Sequence, residues 1–355
     1  MRFVYLEAFG LAFFISFVAT FLVSRMAVRR KIIDFPDEER KFHKAPTPTL
    51  GGLAVFASFF LVTFFLGVLG GYLVGGTLPL RVLLGIWAGG MILMIGGYLD
   101  DRYRLPPSYS VIFPILAALT VVFSGVSAVS IHNPFTGNIV QLNSFEVAGL
   151  PVLSGVVVFC WMLGMTYTTK LLDGMDGLVT GISAIGAIVI FLLSLTPQVM
   201  QTPTAILAIT FAGALLGFLI LNFYPAKIFL GESGSTFAGF MLGILAIVSG
   251  GKIATAILVM GIPLLDVIWV ILQRLFNRQS PFTGDRRHLH FRLLDIGFSE
   301  PQAVLFLYAL SGFFGATALF LQSLGKLVAL LILIFVMVII VSTIFFAVRP
   351  RQTKF

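Results

Sequence analysis

Six carboxylates lie on or just beyond the ends of long apolar segments: Asp100 and Asp101 in GGYLDDRYR, Asp173 and Asp176 in KLLDGMDGL, Glu232 in FLGESGS, and Asp266 in PLLDVIWV. An acid within a membrane helix costs roughly 2.5 to 3.5 kcal/mol on insertion scales, so repeated acids there mark an ion path, a proton relay or a metal site. Asp173 and Asp176 stand three residues apart, on one face if helical, and Gly174 and Gly177 leave the backbone open to a phosphate. Asp100 and Asp101 diverge by about 100° on a helix and can address one site only near its end. The plainer reading is interfacial capping, with Asp100 or Asp101 paired to Arg102 or Arg104 and Asp176 capping a helix that begins near Leu178. It accounts less well for both pairs on one membrane face. Two unit charges about 4 Å apart at an effective dielectric near 20 repel by about 4 kcal/mol, so a cluster needs a cation, protons or basic partners. Oxygen-only donors favour Mg2+ or Mn2+ over zinc, and Mg2+ commonly joins carboxylates to substrate phosphates.

Polar segments elsewhere carry groups suited to an anion. RKFHKAPTPTLGG offers Arg40, Lys41, His43 and Lys44; NFYPAKIFLGESGS offers Asn222 and Lys227; PFTGDRRHLHF offers Arg286, Arg287, His288 and His290. For Arg25, Arg29, Arg30 and Lys31 the better reading is contact with anionic lipid headgroups. The histidine pair, two residues apart with no neighbouring Cys and no HExxH, argues against a zinc site.

The elements that must position these groups are membrane helices. With 58% hydrophobic residues, 11% charged residues and 37 Phe, the chain would expose too much apolar surface as a soluble protein. The fold class expected is an all-α integral membrane protein, one polytopic domain over residues 1–355. Eleven apolar runs are long enough to span: 3–24, 51–69, 79–99, 108–127, 151–169, 178–196, 203–222, 235–250, 253–275, 302–321 and 327–348. The first is expected to be a retained span rather than a signal peptide. With the N-terminus outside, all but Arg2, Arg81, Lys252 and Lys326 of the 23 Lys and Arg fall on the cytoplasmic side. That orientation puts the candidate active-site loops, near residues 25–50, 100–107, 170–177, 223–234 and 276–301, in the cytoplasm with the C-terminus. An external loop near 128–150 reads as a small β-hairpin. The single Cys160 excludes a disulfide within the chain and a Cys-rich metal site. For Asp266, three residues after Pro263, two roles stand side by side: satisfying backbone groups that the proline frees, or serving the site.

HKAPTPTLGG, YLDDRYRLPPS, LLDGMDGL, NFYPAKIFLGESGS, PLLDVIWVILQRL and DRRHLHFRLL occur in the order seen in the polyprenyl-phosphate N-acetylhexosamine-1-phosphate transferases, of glycosyltransferase family 4 type, which the chain resembles over about residues 40–300. The resemblance implies transfer of a sugar phosphate from a UDP-N-acetylhexosamine to a membrane polyprenyl phosphate, with release of UMP, at the bacterial plasma membrane. DRRHLH looks like the branch that makes undecaprenyl-phosphate-linked GlcNAc rather than the phospho-MurNAc-pentapeptide translocase. It further implies Mg2+ or Mn2+, a homodimer, and no nucleic-acid partner. Carried over by position, the resemblance puts Asp100 and Asp101 near the lipid phosphate and metal, and Asp173 and Asp176 in the catalytic loop. Glu232 falls at the main metal-ligand position, with Asp101 and Asp173 as further ligands. His288, His290, Arg286 and Arg287 would line the diphosphate and sugar pocket, and Lys44, Asn222 and Lys227 would hold substrate. Two positions depart from the pattern, Lys170 where the family usually has Asn and Glu232 where it has Asp. Lys170, three residues before Asp173, either contacts a phosphate or pairs with that acid and weakens metal binding, and the two departures are expected to compensate.

The expected chemistry needs little base strength. A phosphate nucleophile with a second pKa near 6 is largely ionised at about pH 7, so positioning and charge neutralisation dominate. Asp100 as a base and a covalent route through Asp173 are secondary hypotheses. Two other classes remain open: an ion-coupled transporter using the same acids, which should then lie near the midplane on broken helices, and a non-catalytic relative.

Overall fold

The computed structural model describes residues 2–36, 45–74, 78–127, 130–132, 139–147, 150–197, 199–249, 253–278 and 288–347. Lys44, Arg286 and Arg287 lie outside the described residues. The chain is built of helices α1 (Arg2–Arg29), α2 (Gly51–Phe64), α3 (Leu80–Tyr103), α4 (Pro107–Ser110), α5 (Ile112–Phe123), α6 (Val152–Leu172), α7 (Leu178–Ser194), α8 (Thr202–Asn222), α9 (Gly231–Val248), α10 (Ile253–Val259), α11 (Gly261–Phe276), α12 (Leu289–Asp295), α13 (Glu300–Phe320) and α14 (Ser323–Ala347). Without water, every backbone group in hydrocarbon needs an internal partner, which selects helices. Buried hydroxyls comply in the same way, Thr63, Ser194 and Thr210 each donating to the carbonyl four residues back. Among the described residues, eight helices are individually long and apolar enough to cross a membrane. α10 and α11 form a pair bent by 79°, and residues 107–123 and 178–194 are shorter apolar helices. Counting the bent pair as one span gives nine among the described residues where eleven crossings are expected from the apolar runs, because the helices over 107–123 and 178–194 fall short of that length.

Three short antiparallel pairings accompany them: β1 (Ile33–Asp34) with β2 (Thr47–Pro48), β3 (Ser130–His132) with β4 (Ile139–Gln141), and β5 (Glu146–Val147) with β6 (Leu150–Pro151).

α9 is the central element, packed by α2, α3, α6 and α7, with 83% of its apolar window buried against 22% for α1 and for α14. Phe59 of α2, Phe211 of α8 and Phe237 of α9 meet edge to face at centroid separations of 5.8 to 6.1 Å. The core is therefore aromatic at its centre, while α1 and α14 keep apolar side chains on the outside. Gly97 shows how closely α3 approaches α9: a Cβ there would sit 2.2 Å from Ser233 Cα. Small residues allow such backbone contact where apolar side chains gain nothing by leaving lipid.

Two helix ends differ from the sequence reading. α3 continues to Tyr103, so Asp100 and Asp101 are in its last turn rather than beyond it. α9 begins at Gly231, not at 235, so Glu232 lies in its first turn. The chain turns at Gly231, with φ 76°, and an acid is favourable beside the partial positive charge of a helix N-terminus.

Candidate active site

The end of α3 and the start of α9 bring the first acids together. The Glu232 backbone N–H donates to Asp101 Oδ1 at 3.3 Å. Asp173 follows the last residue of α6 and lies within electrostatic reach of both Asp101 and Glu232. Asp100 extends the cluster, again through Asp101. Residues separated by more than a hundred positions are thus joined by three helix ends. The only cation recorded inside this group is Lys170, in the last turn of α6, among the described residues: its Nζ bonds Glu232 Oε1 at 2.5 Å and Ser110 Oγ at 3.2 Å. It pairs with Glu232 rather than with Asp173, the partner its spacing suggests.

The electrostatics of Asp173 follow from its surroundings. Desolvation by the packed protein, then the charges of Glu232 and Asp176, push its carboxyl up from 3.8 to about 7, against a hydrogen bond from Ser235. Part of Asp173 is open at the surface, so it remains accessible to a substrate or ion. Nothing in the sequence marks Ser235; its position one helical turn after Gly231 gains meaning from the start of α9 at Gly231.

Buried Oδ1 of Asp100 and Oδ2 of Asp101 have no hydrogen-bond partner. Orphaned carboxylate oxygens in an oxygen-only set fit a hard cation such as Mg2+. Among the described residues, no three His, Cys, Asp or Glu side chains are grouped closely enough to hold a metal ion by themselves. That agrees with the habit of Mg2+ of taking one or two carboxylates plus waters and substrate phosphates.

Asp176 and Asn222 have different surroundings. Asp176 Oδ2 accepts from the Ala226 N–H at 2.8 Å, and its own N–H donates to Glu300 Oε1 at 3.0 Å. Asp176 therefore ties the DGMDG loop to residues 222–230 and to α13, whereas Gly177 takes the position before α7. Buried Asn222 accepts from Thr180 Oγ1 at 2.6 Å and donates to the Ile228 carbonyl at 3.0 Å, bracing the same loop. Lys227 on that loop is exposed.

His288 and His290 complete the wall. Both are buried, their rings stack at 5.7 Å with 8° between planes, and His290 lies against the acidic loop, where a Cβ on Gly174 would be 2.5 Å from its Nε2. Neither ring nitrogen of His290 has a hydrogen-bond partner. Burial, then the neighbouring His288, lowers His290 to about 3, so it is neutral at physiological pH. Asp266 resolves in favour of this region: its Oδ2 is 2.8 Å from His288 Nδ1, and its Oδ1 accepts from the Leu289 N–H at 2.8 Å. Pro263 lies in the first turn of α11, where a missing N–H frees no carbonyl of that helix.

Residues 83–250 match the family model described as Glycosyl transferase family 4. The chain is 30% identical over 343 residues to a probable undecaprenyl-phosphate N-acetylglucosaminyl 1-phosphate transferase of Bacillus subtilis, covering 95% of this chain and 90% of that protein. It is 32% identical to a decaprenyl-phosphate N-acetylglucosaminephosphotransferase of Mycolicibacterium smegmatis, over 93% and 86% of the two chains. Identity to the undecaprenyl-phosphate alpha-N-acetylglucosaminyl 1-phosphate transferase of Escherichia coli K12 is 28%, over 80% and 74%. With similarity of this extent running through the acidic cluster and both of its supporting loops, the chain belongs to glycosyl transferase family 4.

Proposed function

We propose that the protein transfers N-acetylglucosamine 1-phosphate from UDP-GlcNAc to undecaprenyl phosphate. An oxygen of the lipid phosphate attacks the β-phosphorus; the bond from that phosphorus to the bridging oxygen breaks; UMP departs with the oxygen and its charge. The observation that carries this reading is the convergence of Asp101, Asp173 and Glu232 beside Lys170 at three helix ends. One or two of the carboxylates of Asp101, Asp173 and Glu232, together with the substrate's phosphates, would hold Mg2+ or Mn2+, which when bound supplies neutralisation of the diphosphate charge. Lys170 holds Glu232 in place and limits repulsion within the cluster. The His288–His290 wall faces the DGMDG loop, excludes water on that side and presents ring edges to the diphosphate. Because the nucleophile is already ionised, these groups act by positioning and charge stabilisation. Eleven crossings, the cluster on the cytoplasmic face and β3–β4 outside agree with the distribution of Lys and Arg.

Purified protein given UDP-GlcNAc, undecaprenyl phosphate and Mg2+ is expected to release UMP, with a parallel arm using decaprenyl phosphate to rank acceptor length. Release from UDP-MurNAc-pentapeptide instead would assign the translocase reaction. No UMP from either donor would overturn the transferase reading.

A further inference from the structure

Asp266 lies outside the acidic cluster, yet both its oxygens are engaged by one segment. Oδ2 meets His288 Nδ1 and Oδ1 accepts from the Leu289 N–H, each at 2.8 Å, and the two side chains are only 5% and 6% exposed. Covering the first N–H of α12 needs one acceptor. The second oxygen goes beyond what capping requires, and burying a carboxylate with an imidazole is rarely a net gain in stability over apolar packing. An ionised carboxylate only accepts, so the His288 proton is placed on Nδ1 and Nε2 becomes the edge available to another group. His288 stacks on His290, and His290 lies against Gly174 between the two aspartates of the DGMDG loop. A continuous chain of contacts therefore runs from α11 to the acidic loop.

We propose that Asp266 is a positioning residue: it fixes His288 in the Nδ1–H form and holds the His288–His290 arm against the Asp173–Asp176 loop, with His288 Nε2 left to meet the diphosphate. The role rests on the phosphotransfer reading above. Outer partners of this kind typically change function by about 10- to 100-fold when removed, without touching the reacting atoms.

Asp266→Asn separates the two contacts. An amide has one accepting oxygen: turned toward the Leu289 N–H, it presents its NH2 to His288 Nδ1 and drives the proton to Nε2; turned the other way, it sets two N–H donors against each other. The expected result is a fall in kcat of about 10- to 100-fold, with KM for UDP-GlcNAc within about threefold of wild type. The 15N spectrum of histidine-labelled protein, assigned by loss of one signal in His288→Gln, should show Nδ1–H in the wild type and Nε2–H in Asp266→Asn. Wild-type kcat in a folded Asp266→Asn protein overturns the inference. So does a proton on Nε2 of His288 in the wild type, a measurement that decides the question even if the variant fails to fold. A wild type that releases no UMP overturns the transferase reading instead, and is distinguished by the missing turnover before any substitution is made.

Discussion

At the residue scale the site depends on a cation tethered among acids. Lys170 and Glu232 lie 62 residues apart in sequence and 2.5 Å apart in the fold, with side chains 26% and 16% exposed. Lys170→Ala and Glu232→Ala are each expected to lower stability, and the double variant by less than their sum, with a coupling of about 0.5 to 3 kcal/mol. Unfolding of the four proteins in one detergent measures it, and additive losses would reject the pairing. Asp173 makes a second prediction. With its folded value raised from 3.8 to about 7, the folded state binds more protons than the unfolded chain between those pH values. Its contribution to stability therefore falls as pH rises through that window. In EDTA, Asp173→Asn should gain Tm relative to wild type at about pH 8, by an amount that solvent screening at this partly open residue keeps small, and the gain should shrink toward pH 5. A gain independent of pH would reject the assignment. The types of these residues could be read from the chain; their partners could not, because spacing pointed Lys170 to Asp173 while the helix packing turned it to Glu232.

At the element scale, the acids meet only because α3 and α9 approach to backbone contact. Gly97→Ala places a methyl carbon 2.2 Å from Ser233 Cα, so one helix must move. Overpacking of this kind costs about 1–3 kcal/mol, and a lowered Tm together with reduced UMP release is expected. A variant with unchanged Tm and turnover would show that the two helices have slack. Apolar runs identified the helices well, since hydrocarbon imposes a single demand on the backbone. Their polar ends were less legible. Asp100, Asp101 and Glu232 read as loop residues by hydropathy, yet the hydrogen-bonded helices carry on through them.

At the scale of the whole molecule, orientation is the decisive property, since a UDP-sugar is a charged, water-borne substrate. In a Cys160→Ala background, Met200→Cys lies between α7 and α8 and Tyr224→Cys follows α8, both at exposed positions. An impermeant maleimide added to intact cells should label the first and reach the second only after permeabilisation. The reverse pattern would invert the proposed topology.

The sequence by itself determined that this is a membrane protein, where its apolar helices run, and which acids and histidines are candidates for chemistry, because composition and residue type are local properties. Tertiary structure alone decided that Lys170 neutralises Glu232, that Asn222 and Asp176 brace the loop beside the cluster, and that Asp266 reaches His288 rather than serving Pro263. Such pairings are set by where helix ends converge, and convergence depends on contacts such as Gly97 against Ser233 that no single segment encodes.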